Sequence, residues 1–302
     1  MNQVPVPWPF FYPARKIAKA FGAKLSYEVH DLWPLSPMLI GGYSKNHPFI
    51  RVMQKGEDDA YKYSDKVVSL LWNAEEHMRE HGLAEGKFVC IPNGYSKDEW
   101  SEDAVRKPLP IEHTEAFSKL AGKHIIGFAG GFAASGALST LIAAAEIIKD
   151  REDIHFVLVG KGPEKENIEA LVAEKSLNNV TILPAVRKDL IPAINTHFDV
   201  AYMGGIHSFL HKYGTSYNKM TDSFLAGIPI IQAIDEPGCV AEKIGCGIQV
   251  EAENPSKVAE AVLRLIDMPE EARREMGAKG RHYALENLEW GILAVRFLRA
   301  FE

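Results

Sequence analysis

The sequence has little of what several protein classes require. Its 302 residues include three cysteines (Cys90, Cys239 and Cys246), too few and too scattered for a disulfide framework or a cysteine zinc site. The net charge of -6 provides no overall basic field that would attract nucleic acid. The apolar runs are of strand length and fall short of the ~20 residues that span a bilayer. We therefore expect a cytoplasmic globular protein without a nucleic-acid partner.

Nucleotide and metal motifs are also scarce. The chain has no G-x-x-x-x-G-K-[ST] phosphate loop, and the glycine loop at 127–136 (GFAGGFAASG) does not have the G-x-G-x-x-G pattern of dinucleotide-binding domains. The H-x-x-E-H spacing at His77–His81, the acidic run Glu57–Asp59 and the pair His207 and His211 could each suggest a metal. We interpret them as solvated helix faces and loop residues, and predict no metal site and no cofactor.

From Lys123 onward, short apolar runs alternate with longer helical patterns. Continuous apolar strands separated by helices predict a parallel sheet covered on both faces, which is a doubly wound domain. Its ligand belongs at the carboxyl ends of the strands. The predicted strands lie at 124–130, 155–160, 179–184, 199–204, 228–233 and 247–251. The predicted helices lie near 137–149, 163–176, 187–196, 215–226, 238–244, 255–267, 270–281 and 284–301.

The first hundred residues repeat this alternation on a smaller scale. We predict strands at 24–29, 66–71 and 88–92, and helices near 10–21, 46–63 and 73–82. The charged, proline-rich stretch 98–122 is interpreted as a connection. This gives a partial N-terminal domain at 1–105, a second domain at 106–283, and a terminal helix at 284–302 that crosses back to the first.

Three strands make a narrow sheet, and an exposed edge strand invites pairing. Three explanations stay open at this point: further strands belong to the protein, a partner chain or a second copy supplies them, or residues 1–12 cover the edge.

Three features lie where predicted strands end. The first is the segment EVHDLWP (28–34), which places His30 and Asp31 after a strand; the alternative is a capped loop histidine. The second is the glycine loop at 127–136, whose alternative is a tight turn between a strand and a helix. The third is YGTSYNKMTDSFLAGIPII (213–231), where a helix N-terminus with a lysine one turn in could hold an anion. Its alternative is an ordinary amphipathic helix.

Together these segments, with IPNGY (91–95) and VGKGPEKENI (159–168), resemble family 4 glycosyltransferases, which are retaining enzymes of the GT-B fold. The closest similarity is to the branch that makes bacterial O-antigen and capsular polysaccharide. The resemblance implies an α/β protein with two Rossmann-like doubly wound domains facing a cleft, the N-terminal one incomplete here. It also implies metal-independent transfer of a hexosyl or N-acetylhexosaminyl group from a nucleotide sugar, most simply a UDP-sugar. The acceptor would be a glycan or a lipid-linked sugar, and the protein would be peripheral at the inner membrane face.

The resemblance also assigns roles to residues. Thr215, Ser216, Asn218 and Lys219 would bind the donor and its diphosphate, and Asp222 would bind the ribose. Gly130 and Gly131 would lie against the phosphates or the sugar. His30 and Asp31 would be the catalytic pair beside the transferred sugar.

Two departures from the family pattern leave other functions open. Gly214 stands where the family has the first acid of its E-x7-E motif, and residues 128–138 contain no basic side chain. Lys161, Arg187 or Lys188 could supply the missing charge. One alternative is a catalytically deficient nucleotide-sugar-binding subunit, or a fragment that needs a partner to complete the N-terminal domain. Another is a GT-B relative with other chemistry, such as a sugar-nucleotide epimerase.

Overall fold

The computed structural model describes residues 10–302, and these residues form two compact units. The first unit contains the described residues up to Asn93, together with Phe209–Ser216 and Gly291–Glu302. The second unit contains Gly94–Ser208 and Tyr217–Trp290. The first stretch of this unit thus ends at Asn93, whereas the predicted N-terminal domain runs to residue 105. The unit also includes residues 209–216, which the prediction placed in the second domain.

The first unit has a three-stranded parallel sheet with strands in sequence order. Its strands are β1 (Ser26–Val29), β2 (Lys66–Ser69) and β3 (Phe88–Cys90). Its helices are α1 (Phe11–Phe21), α2 (Leu35–Gly41), α3 (Pro48–Tyr63) and α4 (Glu75–Glu80). The core is small because each strand has few inward positions; it gathers Val29, Val67, Tyr61 and Met78 with a few neighbours. All three strands were predicted, whereas α2 was not.

The second unit has a six-stranded parallel sheet. Its strands are β4 (His124–Gly131), β5 (Ile154–Lys161), β6 (Val180–Pro184), β7 (Val200–Gly204), β8 (Ile230–Ala233) and β9 (Gly247–Val250). Their order in the sheet is β6-β5-β4-β7-β8-β9. This is the doubly wound order. From β4 the sheet grows outward on one side through β5 and β6 and on the other through β7, β8 and β9, which leaves a crevice at the carboxyl ends of β4 and β7.

Helices cover both faces of this second sheet. They are α5 (Glu102–Val105), α6 (Ile111–Lys119), α7 (Leu138–Ile147), α8 (Lys165–Glu174), α9 (Ile191–Asn195), α10 (Asn218–Ala226), α11 (Val240–Lys243), α12 (Pro255–Ile266) and α13 (Glu270–Asn287). A last helix, α14 (Trp290–Arg299), lies almost wholly in the first unit. No helix in the described part of the chain combines the length and the hydropathy needed to cross a bilayer.

The strands of the second sheet are apolar on both sides because each side meets a separate core. Along β5, Phe156 and Leu158 belong to one core group, while Val157 and Val159 belong to the other. Successive side chains of a strand point to opposite faces, so a strand buried on both faces shows no polar alternation. This is the pattern that predicted a parallel, doubly wound sheet, and the structure confirms that prediction.

Two predicted segments are corrected. The stretch 98–122 is not a plain connection: it forms α5 and α6, and Phe117 and Leu120 join a core group of the second unit. The terminal helix predicted at 284–301 is two helices, because α13 runs on to Asn287 and α14 begins at Trp290. The break coincides with a backbone bridge between Glu289 and Tyr95.

Candidate functional site

The crevice of the second sheet begins where β4 ends, at Gly130 and Gly131. A Cβ on Gly131 would meet no atom within 4 Å, so its backbone faces open space. A Cβ on the neighbouring Gly160 would instead overlap the carbonyl oxygen of Gly130 and the Phe132 ring. The glycines therefore have different tasks: Gly160 lets two strand ends pack closely, and Gly131 leaves the backbone of the loop accessible to a ligand.

Helix α10 begins without a cap from the residue at its N-cap position. Tyr217 stands there in an extended conformation, and its side chain makes no cap hydrogen bond. The first turn of a helix carries N–H groups that lack partners within the helix, and it is the positive end of the helix dipole. The helix begins at Asn218, three residues later than predicted, so Asn218 and Lys219 lie in its first turn while Thr215 and Ser216 precede it.

Lys219 is half-buried beside the end of β4. Its ammonium lies 4.7 Å from the centre of the Phe128 ring and 5.5 Å from that of Tyr217, and its Cε would lie 3.9 Å from a Cβ on Gly130. Within residues 10–302, no carboxylate lies within ion-pair distance of this ammonium. Burial lowers the pKa of Lys219, which expresses the cost of holding a cation away from water without a counter-ion.

Asp222 lies one turn after Lys219 on α10 and is also desolvated. Burial raises the pKa of Asp222 to about 6, against a hydrogen bond from the indole N–H of Trp100 to Oδ1 at 3.2 Å, which lowers it. Lys219 and Asp222 both line a cavity of about 10 Å³, which gives room for about one water molecule. Lys219 and Asp222 are thus brought together beside β4, whereas Asn218 is exposed.

Thr215 and Ser216 belong to the first unit, and their assignment to the donor stays a prediction. The Ser216 hydroxyl accepts a hydrogen bond from the Asn93 backbone N–H at 2.8 Å, and the Asn93 side-chain amide donates to the Ser216 carbonyl oxygen. The structure therefore joins two of the segments that carry the resemblance, IPNGY and the opening of SYNK. Thr215 is buried. The sequence pattern predicted both residues to lie in the second domain, because they adjoin the predicted helix at 215–226. The pattern carries no information on the packing of the turn before that helix.

The same turn explains why an acid is absent at position 214. Gly214 has φ of +100°, and a Cβ there would lie 2.6 Å from the Trp72 indole. The turn is held to the loop that follows β2, since the Asn73 backbone N–H donates to the Tyr213 carbonyl oxygen at 3.0 Å. A glutamate at position 214 would need both a different backbone and a different place for Trp72. The departure from the family motif is therefore a structural feature of the first unit.

His30 follows the carboxyl end of β1, as predicted. Its Nε2 lies 3.0 Å from a carboxylate oxygen of Glu28, and the imidazole is 40% exposed. Asp31 is exposed. The catalytic assignment of His30 and Asp31 stays a prediction.

Of the three basic residues that could replace a basic side chain in the glycine loop, two form ion pairs with nearby carboxylates. Lys188 pairs with Glu99 at 2.7 Å, and Arg187 pairs with Asp189 at 3.0 Å. Lys161 ends β5 and is exposed; with Lys165 and Arg187 it lines an open pocket of about 500 Å³ at the carboxyl ends of β5 and β6. The mouth of the second sheet is therefore basic.

One polar group in the first unit was not foreseen from the sequence. Potential ligand atoms of Glu57, Asp58 and His81 lie within 4.8 Å of one another. Gln54 donates to Glu57 at 3.1 Å and to Asp58 at 2.8 Å, and His81 lies 2.9 Å from Asp58. Spacing along the chain does not show this group, because His81 directly follows α4 and the carboxylates lie on α3. Hydrogen bonds within the group satisfy these atoms, and we assign no ion to it.

The fold and the crevice define a class: a doubly wound α/β domain whose strand ends carry a cation and accessible backbone. Comparison with known proteins adds the family that this chain matches. Residues 123–268, which lie mostly in the second unit, match the family described as "Glycosyl transferases group 1".

Curated relatives point the same way. A 2-deoxystreptamine glucosyltransferase of Streptomyces kanamyceticus is 30% identical over 220 residues, which is 70% of this chain and 53% of the relative. The putative colanic acid biosynthesis glycosyl transferase WcaI of Escherichia coli K12 is 24% identical over 288 residues, which is 87% of this chain and 65% of the relative. The chain thus spans between about half and two thirds of the length of these relatives.

Among solved structures, Anabaena Alr3699/HepE in complex with UDP and glucose superposes with a TM-score of 0.67 at 14% identity, covering 94% of this chain and 73% of that one. At this identity the likeness concerns the fold, and it confirms the predicted α/β GT-B class.

Proposed function

We propose that this protein is a glycosyltransferase that takes a sugar from a nucleotide-sugar donor, with the diphosphate bound at the N-terminus of α10. The donor we favour is a UDP-sugar carrying a hexosyl or N-acetylhexosaminyl group. The match to group 1 glycosyltransferases and the relatives' names support transfer chemistry. The UDP complex of the Anabaena protein supports the choice of nucleotide.

The observation that carries the proposal is the half-buried ammonium of Lys219, which has no carboxylate partner within residues 10–302. Burying a cation costs free energy unless an anion joins it. The N-terminus of α10, which the Tyr217 side chain does not cap, and the accessible backbone at Gly131 add the positive ends of backbone dipoles beside Lys219. A diphosphate would complete this arrangement by supplying the missing charge.

In the proposed reaction, Lys219 and the N–H groups of α10 stabilise charge on the departing diphosphate. Asp222 accepts a hydrogen bond from the ribose, and the backbone at Gly130 and Gly131 approaches the phosphates or the sugar. We assign His30 and Asp31 to the transferred sugar. We further propose retention of anomeric configuration without a metal, and a glycan or lipid-linked acceptor in surface polysaccharide synthesis at the inner membrane face; the name of the colanic acid relative supports that setting.

The donor site is tested by the Lys219→Met variant, which keeps an apolar stem of similar length and removes the charge. We expect UDP affinity, measured by calorimetry, to fall at least ~10-fold, because a hydrogen bond to a charged group contributes about 1.5–3 kcal/mol. Lys149→Met, at an exposed position of the same unit, is the matched control and should bind UDP like the wild type. Equal UDP affinity in the wild type and Lys219→Met would refute the site, and GDP titrations would show whether uracil is preferred.

Transfer itself is tested by incubating the protein with UDP-N-acetylhexosamines and membrane extract and following UDP release, with and without a chelator. The anomeric configuration of the product can be read by NMR. UDP binding without turnover would favour the second candidate, a nucleotide-sugar-binding subunit that works with a partner chain or a second copy. The narrow sheet of the first unit and Gly214 at the motif's acid position motivate that candidate.

A further inference from the structure

Trp100 stands at the end of a short 3-10 turn, Lys97–Trp100, that leads the chain into the second unit. Its half-buried ring packs against the core group that also contains Met220 and Phe224 of α10. This packing fixes the indole so that Nε1 points at Asp222, with Nε1 and Oδ1 3.2 Å apart. An indole N–H can only donate, so Oδ1 of Asp222 must accept.

The surroundings of Asp222 leave this hydrogen bond as its main support. Two other charged groups act on the carboxylate, Lys188 and Glu99, and they have opposite effects on its pKa. They also pair with each other at 2.7 Å, so their fields largely cancel at Asp222. Asp222 borders a cavity with room for about one water, and its second oxygen has no protein donor in the part of the chain that the structure describes.

We propose that Trp100 is a positioning residue of the donor site, which holds Oδ1 of Asp222 and leaves Oδ2 as the acceptor for a ribose hydroxyl. The inference rests on the proposed function for its ligand, the ribose of a nucleoside diphosphate. Its protein half, a hydrogen bond that keeps the aspartate charged and oriented, does not depend on any ligand. No sequence motif marks this role, since Trp100 and Asp222 are far apart in the chain.

The ligand-free test follows the Trp100 indole N–H by NMR. Its ¹⁵N–¹H signal, assigned by its loss in Trp100→Phe, should shift with pH with a midpoint near 6, because the pKa of Asp222 is raised to about 6 and ionisation strengthens the hydrogen bond. In Asp222→Asn the signal should stay but no longer titrate around that pH. A flat signal in the wild type between pH 5 and 8 would overturn the inference.

The ligand test compares UDP with 2′-deoxy-UDP across the same pH range. For the wild type, the ratio of the UDP affinity to the 2′-deoxy-UDP affinity should rise through pH ~6 as Asp222 ionises and accepts the ribose hydroxyl. The ratio is used because the terminal phosphate of both nucleotides also titrates near pH ~6. Removing the indole N–H of Trp100 should raise the pKa of Asp222. The midpoint of the pH dependence should then move upward by ~1 pH unit, because one unit corresponds to about the strength of a hydrogen bond to a charged group. The preference for UDP over the deoxy nucleotide should also shrink when position 100 lacks the N–H donor.

Two variants make this test independent of packing. Trp100→Phe removes the donor but also part of the ring, so 3-benzothienylalanine placed at position 100 by suppression supplies the indole shape without the N–H. Both should shift the midpoint in the same direction, while Trp290→Phe, at a half-exposed tryptophan, should leave it unchanged. An unshifted midpoint in both position-100 variants, with UDP still bound, would refute the role of Trp100. Absence of UDP binding in the wild type would instead refute the proposed function.

Discussion

Both units of the molecule bury a carboxyl group, and the two groups are satisfied in different ways. Glu57 in the first unit is 1% exposed, and burial raises its pKa to about 8. It accepts hydrogen bonds from Tyr61 at 2.7 Å and Gln54 at 3.1 Å, both on its own helix α3. Asp222 in the second unit has one donor from a distant turn and borders a cavity beside Lys219. A raised pKa therefore marks burial, while incomplete satisfaction at the end of a parallel sheet marks the candidate site.

The glycines of the molecule can also be divided into two kinds, those that allow close packing and those that leave the backbone open. In the second unit Gly160 permits close approach of two strand ends and Gly131 leaves backbone open. In the first unit Gly214 accommodates the Trp72 ring in a turn. One kind of glycine supports the framework, and the other keeps space for a ligand. Two glycine variants test this division, and a variant of Glu57 tests the comparison of the two buried carboxyl groups.

The largest effect is expected for Gly160→Ala. Its Cβ would overlap the Gly130 carbonyl oxygen between two buried strands, so the strand ends must separate. We expect the free energy of unfolding to fall by more than ~3 kcal/mol. Hydrogen exchange read by mass spectrometry should show the loss in the second unit. Gly131→Ala is the matched control, and a loss of stability in the control as large as in Gly160→Ala would break the distinction between the two glycines.

Gly214→Ala is expected to have the next largest effect. An alanine at φ of +100° is strained, and its methyl would press on the Trp72 indole, so we expect a loss of about 2–3 kcal/mol. The change should appear as faster exchange around β2 and the turn at 209–216, with the second unit unchanged. Restoring the family acid with Gly214→Glu should harm the turn at least as much. Better nucleotide binding in that variant would contradict our explanation of the missing acid.

Glu57→Gln is expected to have the smallest effect and the opposite sign. Glu57 has a pKa of about 8 in the folded protein against a usual 4.5, so between these values the folded state holds a proton that the unfolded state releases. Stability therefore falls as pH rises through this window, and the glutamine should remove that fall. The shift corresponds to about 4 kcal/mol at pH 8. We expect about half of it as a net gain, because the glutamine NH2 group cannot accept the hydrogen bond from Gln54. Denaturant unfolding at pH 5 and 8 would measure it, with the exposed Glu76→Gln as control.

The same variant sharpens the comparison with Asp222. Glu57→Gln should leave UDP affinity unchanged, whereas Asp222→Asn should weaken it, although both remove a buried carboxyl. A loss of UDP binding in Glu57→Gln would show that the two groups are not separable into a structural and a functional one.

Much of the fold was predictable because local patterns and burial agree. The six strands of the second sheet are continuous apolar runs, and the loops after them carry the glycines and the helix start that predicted the crevice. The stretch 98–122 was misjudged because its charges and prolines resemble a linker. Its contribution to the core depends on Phe117 and Leu120, two side chains among many polar ones. Helix α2 was missed because its seven residues are short and begin after a proline.

The site was predictable only in part. Gly130, Gly131, Lys219 and Asp222 follow from strand ends and helix spacing, which are properties of neighbours in the chain. The sequence by itself thus determined the parallel sheets, the crevice and the position of a lysine and an aspartate on one helix, because periodicity and turn chemistry are local. Only the tertiary structure decided that Trp72 excludes an acid at position 214, that Asn93 holds Ser216, and that Trp100 holds Asp222. These contacts join residues far apart in the chain, and they depend on packing distances that no local pattern encodes.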